Sequence, residues 1–143
     1  MQELTLRPLK VGPVENPKKL GVGKTVLVVD DSAFVRKAIE NAFLSVGFKT
    51  CVEAENGKEG IEVAQQCQPD LIILDLSMPV MNGLEAAPIL RSMFPKIPIF
   101  LFSLYADDLS QQVASRAGVD FVMSKNEPLS KLVDKAHEMM GSC

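Results

Sequence analysis

The chain alternates short, wholly apolar runs with longer segments whose apolar positions recur every three or four residues. Val26-Leu-Val-Val29, Leu71-Ile-Ile-Leu74 and Ile97-Pro-Ile-Phe-Leu-Phe102 are runs of the first kind. They are short, rich in β-branched and aromatic residues, and bounded by turns. That pattern marks strands buried on both faces of a parallel sheet. Thr50-Cys-Val52 and Val119-Asp-Phe-Val-Met123 predict two more strands. Ser32 caps a predicted helix of about 15 residues, with Phe34, Val35, Ala38, Ile39, Ala42, Phe43 and Val46 in one apolar stripe and Gly47 at its end. Asn56-Gly57 turns the chain into a second helix, with Ile61, Val63 and Ala64 facing inward. A third stripe is Leu84, Ala87, Leu90 and Met93-Phe94. Pro88 lies inside it and predicts a late start or a bend. Asp107-Asp108 begin a fourth helix, where negative charge suits the helix dipole, and Ala117-Gly118 closes it. Pro128 opens a fifth, with Leu129, Leu132, Val133, Ala136 and Met140 inward. Strands that alternate with helices need right-handed crossovers and a parallel sheet covered on both faces, an α/β architecture.

The polar residues of interest stand where strands end. Val26–Val29 runs into Asp30-Asp31, and Leu71–Leu74 runs into Asp75, after which Pro79, Asn82 and Gly83 turn the chain. In a doubly wound sheet, ligands gather beyond the carboxyl ends of the strands. Three carboxylates brought together there repel and raise one another's pKa, which a cation relieves. An all-oxygen ligand set favours Mg²⁺. The fourth strand ends in Ser103, a hydroxyl able to donate to a phosphate. The fifth leads to Lys125, a compact cation for a phosphate oxygen. Acid pair, acid, hydroxyl and lysine at four strand ends describe a Mg²⁺-assisted phosphoryl-transfer site.

Composition narrows the class. The chain has 143 residues, 47% hydrophobic, with a net charge of −3. That is enough for one domain with a real core. No apolar run approaches the roughly 20 residues of a membrane helix, and no signal peptide is visible, so no membrane partner is expected. The acidic balance argues against sequence-independent nucleic-acid binding. Cys51, Cys67 and Cys143 are odd in number and lack zinc-ligand spacing, so reduced thiols and a cytoplasmic location are expected. His137 is the only histidine and falls on a polar helix face. Residues 1–24 differ from the rest. They hold Pro8, Pro13 and Pro17 with five basic and two acidic residues, +3, which leaves −6 for residues 25–143. They are expected to form a basic arm ahead of a domain spanning 25–143. Gly21-Val-Gly-Lys-Thr25 looks like the end of a phosphate-binding loop. Lys18 stands where the first glycine belongs, however, and a strand follows instead of a helix, so it is read as linker.

The marks Asp30-Asp31, Asp75 with Met78-Pro79 and Gly83, Ser103 and Lys125 together resemble the receiver domain of two-component response regulators. The resemblance covers roughly residues 25 to 140. It implies a flavodoxin-like five-stranded sheet of order 2-1-3-4-5. It also implies that Asp75 accepts a phosphoryl group from a phosphohistidine on a histidine kinase or histidine phosphotransfer protein. Asp31 and Asp75 would ligate Mg²⁺ directly, Asp30 through water, and Ser77 through its backbone carbonyl. Ser103 and Lys125 would bind phosphoryl oxygens, and the helix 4–strand 5–helix 5 face would respond. Tyr105 would shield the water that hydrolyses the acyl phosphate.

Three positions depart from the pattern. Val122 stands where many receivers carry an aromatic residue, and alternation turns Phe121 to the other face. Asn126 follows Lys125 in place of proline, so a trans bond or stored strain is expected. Leu104 stands where a small residue is common and would crowd the phosphorylation pocket.

Competing functions are fewer. A Mg²⁺-dependent phosphohydrolase would carry a second acid two residues past the nucleophile, where this chain has Ser77, and a substrate cap for which there is no room. No DNA-binding output module is expected after residue 143. A phosphorylation-independent binding module is the other alternative, and retention of all five site residues weighs against it.

Overall fold

The computed structural model describes residues 23–140. Five strands and five helices alternate. They are β1 (Thr25–Val29), α1 (Ala33–Ser45), β2 (Thr50–Ala54), α2 (Gly57–Cys67), β3 (Leu71–Leu74), α3 (Gly83–Met93), β4 (Ile99–Ser103), α4 (Gln111–Arg116), β5 (Phe121–Ser124) and α5 (Leu129–Met140). The sheet is parallel throughout, in the order β2-β1-β3-β4-β5. Strand alternation sorts the core into two layers. Leu27, Val29, Ile72, Leu74, Ile99 and Leu101 meet Ala64, Ala86, Leu90 and Ala114, so α2, α3 and α4 cover that face. Val26, Val28, Leu71, Ile73 and Phe100 meet Ile39, Phe43, Leu132 and Ala136 of α1 and α5 on the other. Every residue of β3 is buried, which the unbroken apolar run Leu71–Leu74 requires. The basic arm lies almost wholly outside the described residues, as does Cys143.

Caps fix where helices begin. Ser32, Asn56, Asn82 and Ser110 each accept a backbone N–H from the first turn that follows. Of the late start or bend expected of α3 at Pro88, the late start is corrected. Asn82 and Glu85 form a reciprocal capping box that anchors the helix at Gly83, and exposed Pro88 is accommodated as its sixth residue. The expected start of the fourth helix at Asp107-Asp108 is also corrected. Those residues form a separate 3-10 turn, Ala106–Asp108, after which Leu109 goes extended and packs on the core. Ser110 then caps α4. The fifth strand starts at Phe121, two residues late, because the Val119 N–H bonds back to the Ala114 carbonyl and closes α4. Phe34 leaves the predicted stripe of α1 and is 83% exposed. Helical side chains lean toward the N-terminus, so a first-turn residue overhangs the end of the sheet. There Phe34 borders a small apolar pocket with Ala38, Phe102 and Leu129.

The end of the sheet away from the acids is tied by one arginine. Arg91, late in α3, donates to the carbonyls of Phe94, Pro95, Ile97 and Gly118, and its Nη2 lies 2.5 Å from Asp120 Oδ2. Asp120 in turn accepts the Ile99 N–H at 2.8 Å. A planar fork can serve carbonyls on two sides where an ammonium cannot. Arg91→Ala is expected to lower the unfolding free energy by about 2–4 kcal/mol in urea titration, and Arg91→Lys to recover less than half of it. A loss under about 0.5 kcal/mol for Arg91→Ala would contradict this reading of the staple.

Candidate functional site

The strand order places the carboxyl ends of β1 and β3 side by side, with Val29 paired to Leu74. Asp30 and Asp75 follow these two residues directly. Their backbones extend the ladder, Asp30 N–H to the Ala54 carbonyl at 3.0 Å and Asp75 N–H to the Val29 carbonyl at 2.8 Å. Each carboxylate is thereby set by the sheet and not by a free loop. Asp30, Asp31 and Asp75 each offer an oxygen within 4.8 Å of the others. Asp30 and Asp75 are buried and Asp31 is exposed. The turn after Asp75 is forced close by Gly83, where a Cβ would stand 2.3 Å from the Asp75 carbonyl oxygen.

Lys125 arrives from the end of β5. Its backbone N–H bonds the Ser103 carbonyl at 3.0 Å, and its ammonium lies 2.7 Å from Asp30 Oδ2 and 3.3 Å from Asp75 Oδ2. One lysine thus faces three acids, −3 + 1 = −2 if all are charged. Burial foremost, then the charge of Asp30, pushes the Asp75 carboxyl up to about 6, against the pull of Lys125. Burial alone would lower Lys125, but its bond to Asp30 and the charges of Asp30 and Asp75 outweigh that and raise it. A clustered, all-oxygen, under-neutralised acid set with one exposed member fits a hard divalent cation.

A cavity of about 430 Å³ opens onto this cluster, bordered by Asp31, Ser32, Asp75, Ser77, Leu104 and Lys125, with Tyr105 beside them. Leu104 stands at the mouth and is 59% exposed, so it narrows the approach without filling the site. Ser103 is fully buried beneath this rim, and its Oγ accepts the Tyr105 N–H at 3.0 Å. The structure therefore brings together Asp30, Asp31, Asp75, Ser77 and Lys125, and sets Ser103 one layer below. The Lys125–Asn126 bond is trans, since no described peptide bond is cis. Phe121 packs on Phe100 in the α1/α5 layer, and Val122 lies in the other, as alternation requires. Cys51 and Cys67 are free. Burial first, with Glu40 and Glu53, pushes the Cys51 thiol up to about 12, so it is no nucleophile. His137 is exposed on α5. Among the described residues no helix is long and apolar enough to cross a membrane.

Sequence reasoning does not single out Arg36. Its guanidinium donates to the Asp30 carbonyl at 2.6 Å and to Glu53 at 2.7 Å. The signal available is a pair of cations, Arg36 and Lys37, a turn into the helix that follows the acid pair.

The fold is that of a doubly wound receiver domain, and comparison with known proteins places the chain in that class. The family described as "Response regulator receiver domain" matches residues 26–137, and the chain belongs to that family. It is 31% identical over 119 residues to the chemotaxis protein CheY of Thermotoga maritima, covering 82% of this chain and 98% of that one. It is 36% identical over 109 residues to the protein-glutamate methylesterase/protein-glutamine glutaminase of Pyrococcus horikoshii, 73% of this chain but 29% of that protein. Among solved structures, chemotaxis protein CheY4 of Vibrio cholerae superimposes with a TM-score of 0.74 at 26% identity, covering 83% of this chain and all of that one. The response regulator domain of Thermotoga maritima CheB gives 0.72 at 28% identity, covering 85% and 98%.

The raised carboxyl has a measurable consequence. With about 6 in the folded chain against an ordinary 3.8, Asp75 binds more protons folded than unfolded between these values. Stability therefore falls as pH rises across that window, and the full cost stands above it. Without metal, Asp75→Asn is expected to be more stable than wild type by about 1–3 kcal/mol near pH 7.5, with the gap closing below about pH 4. Urea titrations at several pH values test this, and a constant gap across them would contradict it.

Proposed function

We propose that this receiver accepts a phosphoryl group on Asp75 from a phosphohistidine of a histidine kinase or histidine phosphotransfer protein. The observation that carries the reading is the pairing of a nearly buried Asp75 with Lys125 and two further acids at the floor of an open cavity. An Asp75 oxygen attacks phosphorus in line, and an acyl phosphate P–O bond forms as the P–N bond to the donor imidazole breaks. The electron pair goes to the imidazole nitrogen, which takes up a proton. Such transfer demands positioning and charge neutralisation above all. Asp31, Asp75, Asp30 and the backbone carbonyl of Ser77 would hold Mg²⁺, which would supply the missing positive charge. Lys125 neutralises one phosphoryl oxygen, and Ser103 donates to another.

The same contacts suggest how transfer is read out. Lys125 now bridges Asp30 and Asp75, and the Ser103 hydroxyl oxygen is engaged by Tyr105 N–H. A phosphoryl group brings about −2 charge and three acceptors, competes with the two carboxylates for Lys125, and accepts the hydrogen bond that the Ser103 hydroxyl still has to donate. Both sit at the ends of β4 and β5, so the α4–β5–α5 face shifts its population with phosphorylation. We read the chain as a phosphoacceptor signalling domain and not an enzyme on a separate substrate, with residues 1–24 as an arm to a 25–143 receiver. The free thiols of Cys51 and Cys67 support a cytoplasmic setting.

Incubation with Mg²⁺ and acetyl phosphate, followed by intact mass, is expected to add one phosphate to wild type and none to Asp75→Asn or without Mg²⁺. Labelling that survives Asp75→Asn would overturn the assignment. Absence of any gain in wild type that Leu104→Ala restores would assign the block to the rim, and absence in both would favour a phosphorylation-independent binding module. Lys125→Ala is expected to keep labelling while losing the accompanying NMR amide shifts in β5 and α5. Unchanged shifts in that variant would contradict its role as the reporter.

A further inference from the structure

We propose that Arg36 is a positioning residue for the cation site, acting through the peptide that joins Asp30 to Asp31. The proposal rests on the metal-dependent reading above. Arg36 lies in the first turns of α1, and its side chain runs back toward the helix start, as helical side chains do. One guanidinium nitrogen donates to the Asp30 carbonyl at 2.6 Å. That carbonyl belongs to the one peptide group between the two neighbouring carboxylates, so its orientation sets where Asp31 points relative to Asp30. The guanidinium Nε is itself held by Glu53 of β2 at 2.7 Å, and the arginine side chain is only 13% exposed. Its fork therefore ties the acid pair to the neighbouring strand.

The rest of Asp30 is fixed independently. Its N–H bonds the Ala54 carbonyl, its Oδ1 accepts the Ser32 N–H at 2.9 Å, and its Oδ2 meets Lys125. Asp31 is different. It is exposed, and no hydrogen bond or ion pair is found for its carboxylate among the described residues. Its direction is left to the backbone that Arg36 holds. A rigid ligand loop binds a small hard cation better than a loose one, because Mg²⁺ demands near-ideal octahedral geometry. Groups that orient ligands from behind typically change metal affinity by about 10–100-fold when removed.

Charge and positioning predict opposite signs here, which makes the proposal sharp. Arg36 is a cation beside a cation site, so by Coulomb's law alone its removal should tighten Mg²⁺ binding. Positioning predicts the reverse. The test is calorimetric titration of the metal-free chain with MgCl₂, alongside urea unfolding of each variant. Arg36→Met is expected to weaken Mg²⁺ at least about tenfold, and Arg36→Lys by less, since the ammonium reaches one acceptor but not both. Glu53→Gln removes the second anchor while leaving Arg36 and its packing. It is expected to weaken Mg²⁺ about threefold even near 1 M KCl, where through-space charge effects are screened. Affinity unchanged or tightened in Arg36→Met, with only a lower unfolding midpoint, would overturn the proposal. If Arg36→Met does not fold, unchanged affinity in Glu53→Gln at high salt overturns it instead. Asp31→Asn serves as the reference that loses the site. Wild type that binds no Mg²⁺ would remove the metal reading itself, a failure distinct from binding that ignores Arg36.

Discussion

Lys125 stands 2.7 Å from one buried carboxylate and 3.3 Å from another, with a third acid at the same spot and, among the described residues, no second lysine paired with them. This incomplete neutralisation is the constraint the rest of the molecule serves. Burial first, and then the charge of Asp30, raises the Asp75 carboxyl, and the single lysine offsets this only in part. Negative charge is left over, and an under-neutralised oxygen cluster favours a hard cation. The sheet keeps the balance by holding both buried acids on ladder hydrogen bonds. Buried groups on fixed backbone cannot swing away from one another to escape repulsion, so the strain is relieved by protonation or by a cation.

Close approaches elsewhere follow from the same need. Gly83 lets the turn after β3 fold against the Asp75 carbonyl, where any Cβ would collide. Gly57 plays the matching part in the β2–α2 turn. Its N–H bonds the Met81 carbonyl at 2.9 Å, and a Cβ there would stand 2.7 Å from that oxygen. Val80 adopts φ +69, costly for a β-branched residue, as the Met81 N–H reaches the Pro79 carbonyl two residues back. The turns above the strands are thus drawn tight around the acids. At the far end Arg91 closes the loops with carbonyl contacts instead of chemistry. The molecule has one end built for stability and another that carries unbalanced charge.

Much of this was legible in the chain. Unbroken apolar runs such as Leu71–Leu74 cannot be half-exposed strands, so the parallel sheet followed, and residues at strand ends then had to meet. The strand order came only with the family resemblance, because alternation of elements does not say which strand is central. The errors were local and electrostatic or steric in origin. Negative charge at Asp107-Asp108 suits a helix start, but Ser110 offers a better cap after Leu109 turns inward. Pro88 is a poor helix residue, yet the Asn82–Glu85 capping box outweighs it. Phe34 fits the helical period, but it stands at the helix start and stays exposed while its neighbour Val35 packs on the core. Arg36 was invisible because its role depends on which carbonyl its fork reaches, which no spacing rule encodes.

Asp75 sits in an under-neutralised acid cluster, and its own titration reports that state. The most direct measurement is the ¹³C carboxyl shift of Asp75 followed by NMR from acid to alkaline pH, without and with Mg²⁺. A midpoint of about 6 is expected in the metal-free chain, moving down when Mg²⁺ is added because the cation favours the charged form. A midpoint near the ordinary carboxylate value of 3.8 that ignores Mg²⁺ would contradict it.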